Sequence, residues 1–217
     1  RRYGFRTFGD YFTPRQLVAL TTFSDLVPEA RERVKCDALA AGLTDDGKRL
    51  STAGTGATGY ADAVATYLGM SISKMSDAQS SLCRWKTTMD QSIATFGRQA
   101  LPMVWDYSEA NVFGEMAGDP LVSLKNMMRV VDQLPAKLLG HVLQADAQSQ
   151  SMSEGAVVST DPPYYDNIGY ADLSDFFYVW LRHSLKSVYP DLFTTLAVPK
   201  AEELVAWIEE RVVHRNQ

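Results

Sequence analysis

The sequence predicts a mainly α protein with a partial α/β region: a helical region over residues 1–135, then part of a Rossmann-like sheet over 136–217. Three observations predict it. Apolar residues recur at helical spacing, behind recognisable helix starts, up to Pro135. The pattern then shifts to short segments broken by turns. Finally, the small and β-branched run Ala156–Thr160 stops at two prolines, as a buried parallel strand does at its carboxyl end.

The first helix starts at Thr13-Pro14-Arg15-Gln16. Thr13 serves as N-cap, Pro14 fits the first helical position, and Gln16 completes a capping box. Leu17, Leu20, Leu26 and Val27 supply its apolar face, Pro28 is expected to kink or restart it, and Gly42 is its stop. Residues 44–58 form a polar, Gly-rich connector. It runs into Gly54-Thr55-Gly56-Ala57-Thr58-Gly59, formally a GxGxxG, but no hydrophobic strand precedes it, so a connector ending at a helix N-terminus is expected there. Ala61, Val64, Ala65, Leu68, Ile72, Met75, Gln79 and Leu82 mark a long helix ending near Arg84. Phe96–Tyr107 is aromatic, irregular and interrupted by Pro102, the make-up of a loop that lines a pocket or caps a core. Asp119-Pro120 opens another helix, with Leu121, Leu124, Met128, Val131 and Leu134 expected to face inward and Pro135 ending it. His141–Gln144 and Ala156–Thr160 are the expected parallel strands. Asp172–Val188 is an aromatic-rich amphipathic helix.

The chain is 217 residues long and 46% hydrophobic, enough for one sizeable core. Its net charge of −5 argues against a chain-wide electrostatic grip on nucleic acid but leaves room for a local basic surface. No apolar run is long enough for a membrane span and no leader pattern opens the sequence, so a cytoplasmic protein away from the membrane is expected. Cys36 and Cys83 are expected to be buried or half-buried free thiols, and with His141, His183 and His214 they make no zinc spacing, so no metal is expected.

The chemistry concentrates at Asp161-Pro162-Pro163-Tyr164. Methylating an exocyclic amine of a nucleobase is difficult because the nitrogen lone pair is delocalised into the ring. Two acceptors, the Asp161 carboxylate and the Pro162 carbonyl, can each take one N–H and aim the lone pair at an electrophilic methyl group. Pro162-Pro163 makes a rigid corner with no N–H donors, and Tyr164 offers a ring to stack on a base swung out of its helix. The expected catalytic set is therefore Asp161, Pro162, Pro163 and Tyr164, and it needs no metal or covalent nucleophile.

With its continuation through Tyr165-Asp166-Asn167-Ile168-Gly169-Tyr170 to Leu181, this motif resembles the signature of large bacterial and archaeal adenine-specific DNA methylases that carry a DUF1156 domain. Phe12–Gln16, Ser81–Trp85 and Phe96–Pro102 are similar to that family as well. The resemblance implies an S-adenosylmethionine-dependent DNA N6-adenine methyltransferase. Asp146, in Gln144-Ala145-Asp146-Ala147, would contact the adenine of the cofactor, and Phe12, Thr13 and Pro14 would lie over it. Tyr165, Asn167 and Tyr170 would contact the substrate. The family's Asp-Pro-Phe-x-Gly-x-Gly cofactor loop is missing from these residues. The chain is therefore expected to be an internal fragment, to bind S-adenosylmethionine weakly if at all, and to act with DNA and with the remainder of a full-length methylase. An N4-cytosine or RNA-directed enzyme with the same corner, and a helical DNA-recognition or scaffold module whose corner is inactive, are the alternatives.

Overall fold

Thr13 starts the first helix as expected. In the computed structural model, which describes residues 4–135, 140, 142, 145–161, 168–201 and 203, its hydroxyl accepts the Gln16 N–H while the Gln16 side chain accepts the Thr13 N–H. The helix, α1 (Pro14–Ala40), continues through Pro28 without a restart. Pro28 removes only one donor from the ladder, and Leu20, Ser24 and Val27, all buried, anchor the turns before it. Gly42, at φ +91°, ends α1: its N–H reaches Leu39 O and the Leu43 N–H reaches Ala38 O, a Schellman arrangement.

The Gly-rich connector is a compact, self-packed loop. A side chain at Gly54 would meet the Lys48 carbonyl at 2.2 Å, and one at Gly59 would meet the Gly54 carbonyl at 2.3 Å. Gly56 is the N-cap of α2 (Ala57–Ala78), and Asp45 fills the helix N-terminus, accepting the Thr58 N–H at 3.0 Å and its hydroxyl at 2.8 Å. The anion position that a GxGxxG loop offers a phosphate is thus taken by the chain's own carboxylate. Helix α2 stops at Ala78, short of Arg84, because Gln79 and Ser80 turn inward: the Gln79 amide donates to Ala110 O and the Ser80 hydroxyl meets Thr95 Oγ1. Behind it comes an antiparallel hairpin that the periodicity did not reveal, β1 (Arg84–Lys86) and β2 (Gln91–Ile93), in the register Arg84 with Ile93 and Trp85 with Ser92.

Asp119 caps α3 (Pro120–Gln133) through the Leu121 N–H. The expected inward face of α3 is corrected: Leu121, Met128, Val131 and Leu134 are exposed, and Pro120 is its buried residue. Pro120 and Leu124 of α3 lie near Phe23 and Ile72, and half-buried Met127 lies near Met70 and Phe177. Helix α4 (Tyr170–Leu185) is aromatic and amphipathic, and it packs on both α1 and α2. The core unites Phe12, Leu20 and Val27 with Ile72 and Met75 of α2 and with Phe176, Trp180 and Leu185 of α4. Arg31 of α1 and the fully buried Asp62 of α2 form an ion pair at 2.6 Å, and Asp62 also accepts the Leu50 N–H.

The described residues are thus mainly helical, with one two-stranded antiparallel sheet. The Rossmann-like part of the expectation is not found among them. Ala156–Thr160 is exposed chain outside any strand, with Val157 fully open to solvent, and of the other expected strand only Val142, also exposed, is described. A parallel strand exists only beside a neighbour that takes its N–H and C=O groups. None lies beside Ala156–Thr160 among the described residues, so its β-branched composition alone does not make it a strand there. Cys36 is exposed, against expectation, and Cys83 is buried. Among the described residues no helix is long and apolar enough to cross a membrane.

Candidate functional site

Asp161 ends the exposed run 156–161, and its carboxylate has no hydrogen bond or ion pair among the described residues. Pro162, Pro163, Tyr164, Tyr165 and Asn167 lie outside the described residues. The described chain resumes at Ile168, which is buried, and enters α4 at Tyr170, whose side chain is exposed. Glu203 caps this end of α4 by accepting the Ala171 N–H at 2.8 Å. Asp172 adds a second acid in the first turn, where the helix dipole favours it.

The residues expected around the cofactor have other work. Phe12 is a core side chain, 6% exposed, stacked on Phe176 at 5.6 Å and edge-on to Trp180 at 5.3 Å. Thr13 is occupied by the capping box and Pro14 by the first helical position. The Asp146 carboxylate closes its own turn, accepting the Gln148 N–H at 2.9 Å and the Ser149 hydroxyl at 3.3 Å. No hydrogen bond or ring contact among the described residues joins Asp146 or Asp161 to Phe12–Pro14.

What the fold does bring together is the start of α1 and the start of α4. Phe8 and Phe12 pack on Phe176, and Phe96 joins them from the segment after β2. A cavity of about 320 Å³ opens here, lined by Tyr11, Phe96, Leu101, Asp172 and Asp175. The helix that follows the Asp161 motif is therefore set against the Phe12 element, more than 150 residues away in sequence. Behind Thr13, Arg15 pairs with Glu109 at 2.5 Å, and Glu109 is held below the usual carboxylate range, first by the Thr13 hydroxyl and then by Arg15.

Two larger cavities lie on either side of Leu101–Val104. One, of about 440 Å³, has Arg84, Ile93 and Arg98 in its wall; the other, of about 740 Å³, has Phe5, Tyr11, Ser81, Trp105 and Tyr107. The reading of Phe96–Tyr107 as pocket-lining chain agrees with this geometry. The contribution of Phe5 and Tyr11 was not legible, because neither shows a motif or a periodicity; Ser81–Trp85 stood out only by its family resemblance, and the hairpin that begins there was not expected. The chain matches no protein-family model, no curated protein and no solved structure.

Proposed function

We propose that the chain carries the base-binding corner of a DNA N6-adenine methyltransferase that uses S-adenosylmethionine. The observation that carries this reading is the sequence Asp161-Pro162-Pro163-Tyr164, set between a β-branched run and an aromatic helix. In support, Asp161 is exposed and its carboxylate is not engaged by any described residue, so it is free to accept an amine N–H. Each acceptor withdraws one N–H of the target amine, and the nitrogen lone pair is left pointing away from both. The donor supplies an electrophilic methyl group. As the new N–C bond formed, the donor's sulfonium S–C bond would break and leave a neutral thioether; the Asp161 carboxylate would stabilise the positive charge on the nitrogen until its extra proton passed to water. The Gly-rich cofactor loop of the resembled family is missing from these residues, so the role proposed for this chain is on the acceptor side.

The test is transfer of labelled methyl groups from S-adenosylmethionine to duplex DNA by the enzyme that contains this chain, with digestion of the product. Asp161→Ala should lower the rate about 10²–10³-fold without loss of folding. Near-normal transfer by the variant would remove the proposed corner, and N4-methylcytosine as product would keep the corner but remove adenine as the target. The exposure of Ala156–Thr160 favours one second reading, a helical DNA-recognition module whose corner is inactive. That reading expects DNA binding with no transfer by the unaltered enzyme.

A further inference from the structure

The hairpin and the segment Gly97–Tyr107 form a surface that the catalytic reading does not use. Three aromatic side chains stand out from it: Trp105 is 96% exposed, Trp85 53% and Tyr107 47%. Large aromatics left in water are costly unless something covers their faces. Trp105 and Tyr107 line the 740 Å³ cavity. Trp85 pairs across the hairpin with Ser92, and Ser92 is hydrogen-bonded to Ser108, the residue after Tyr107.

Cations accompany these rings. Arg84 and Lys86 alternate with Trp85 along β1, and Arg84 and Arg98 line the 440 Å³ cavity across the Leu101–Val104 wall. The chain has 26 acidic and 21 basic residues, so carboxylates are in surplus. Nevertheless Arg84, Lys86 and Arg98 make no ion pair among the described residues. The acids of this stretch are Asp90 at the hairpin tip and Asp106, which leaves the surface net positive on a chain of net charge −5.

Cations in one cavity and exposed aromatic faces in the cavity that shares its Leu101–Val104 wall match the two halves of a nucleotide: phosphate for the cations, base for the rings. We propose that this surface binds single-stranded DNA, with unpaired bases stacked on Trp105 and Tyr107 and phosphates at Arg84 and Arg98. Stacking requires the face of a base, and in a duplex both faces are covered by neighbouring pairs, so the surface selects unpaired over paired DNA. This rests on the nucleic-acid substrate proposed above, but not on the Asp161 corner. It places the strand next to the Phe5–Tyr11 turn, where the neighbouring cavity meets the start of α4.

The test is fluorescence anisotropy of the 217-residue chain with a labelled 20-nucleotide single strand of mixed sequence, the corresponding duplex, and RNA of the same sequence, over a salt series. The single strand should bind at least about tenfold tighter than the duplex. Trp105→Ala with Tyr107→Ala should weaken it tenfold or more, and these exposed side chains can be removed without opening the core. Arg84→Ala with Arg98→Ala should flatten the plot of log affinity against log salt by roughly 1.4, about 0.7 for each phosphate that is no longer neutralised. Arg33→Ala, on the exposed face of α1, is the control and should change neither. No binding, equal binding of duplex, or binding indifferent to both pairs of substitutions would overturn the proposal, and tighter binding of RNA would overturn its assignment to DNA. If these results hold while Asp161→Ala leaves methyl transfer intact, the catalytic corner falls and this surface stands.

Discussion

Asp45 shows what one side chain does when a loop has no strand to lean on. Its carboxylate accepts the N–H and the hydroxyl of Thr58 and sits 3.2 Å from Lys35 Nζ. The Thr58 N–H first, and then its hydroxyl, hold the acid far below the usual carboxylate range. An acid with a depressed folded-state pKa adds stability above the ordinary value near 4, and loses that contribution as pH falls through it towards the folded value. Asp45→Asn should therefore lower the urea midpoint at pH 7, and the gap from the unaltered chain should shrink as pH drops from about 5 to 3. A gap of constant size over that range would show that the charge of Asp45 is not what caps α2.

At the scale of elements, the contact of α2 with α4 turns on a missing side chain. Gly69 lies inside α2, and a Cβ there would come within 2.8 Å of the Leu185 side chain, which is itself buried. Gly→Ala in a free helix interior gains about 1 kcal/mol. Here it also overfills a packed contact, a cost of about 1–3 kcal/mol. Gly69→Ala should destabilise the chain by about 1 kcal/mol in urea unfolding. In a Leu185→Ala background the same change should become stabilising, because the space is then open. If Gly69→Ala stabilises in both backgrounds, the close approach of the two helices is wrong. The Thr66 hydroxyl of α2 lies 2.9 Å from Tyr189 Oη, and Arg49 of the connector donates to Ser187 O, so the chain just beyond α4 is held as well.

For the whole molecule, stability is unevenly spread. The aromatic rings of Phe12, Phe176 and Trp180 lock α1 to α4, and Ile72 and Met75 bring in α2. The run from Val157 to Thr160 lies outside this core, and none of its N–H groups has a backbone partner among the described residues. Amides open at low free energy where burial and bonding are absent. In hydrogen exchange of this chain, the central amides of α1, α2 and α4 should be the slowest, and those of Val157–Thr160 should exchange at rates close to an unstructured peptide. Strong protection of Val157–Thr160 would mean that the run is paired as a strand after all.

Local chemistry was legible in the residues themselves. Thr13-Pro14-Arg15-Gln16, Gly42 and Asp119-Pro120 each start or stop a helix through bonds within a few residues, so no distant partner was needed to read them. The corner at Asp161 is a proposal read from residue types in a row, and Pro162, Pro163 and Tyr164 lie outside the described residues. Properties that depend on a distant partner were not legible. Among the described residues, Ala156–Thr160 has the composition of a strand but no neighbour, and the outer face of α3 has the periodicity of a buried helix but no layer over it. Phe12 looked like a residue over a ligand and is a core residue, because α4, which starts at Tyr170, lays Phe176 and Trp180 on it. Periodicity records which side chains avoid water; only the tertiary structure decides what covers them, because burial is made between segments far apart in the chain.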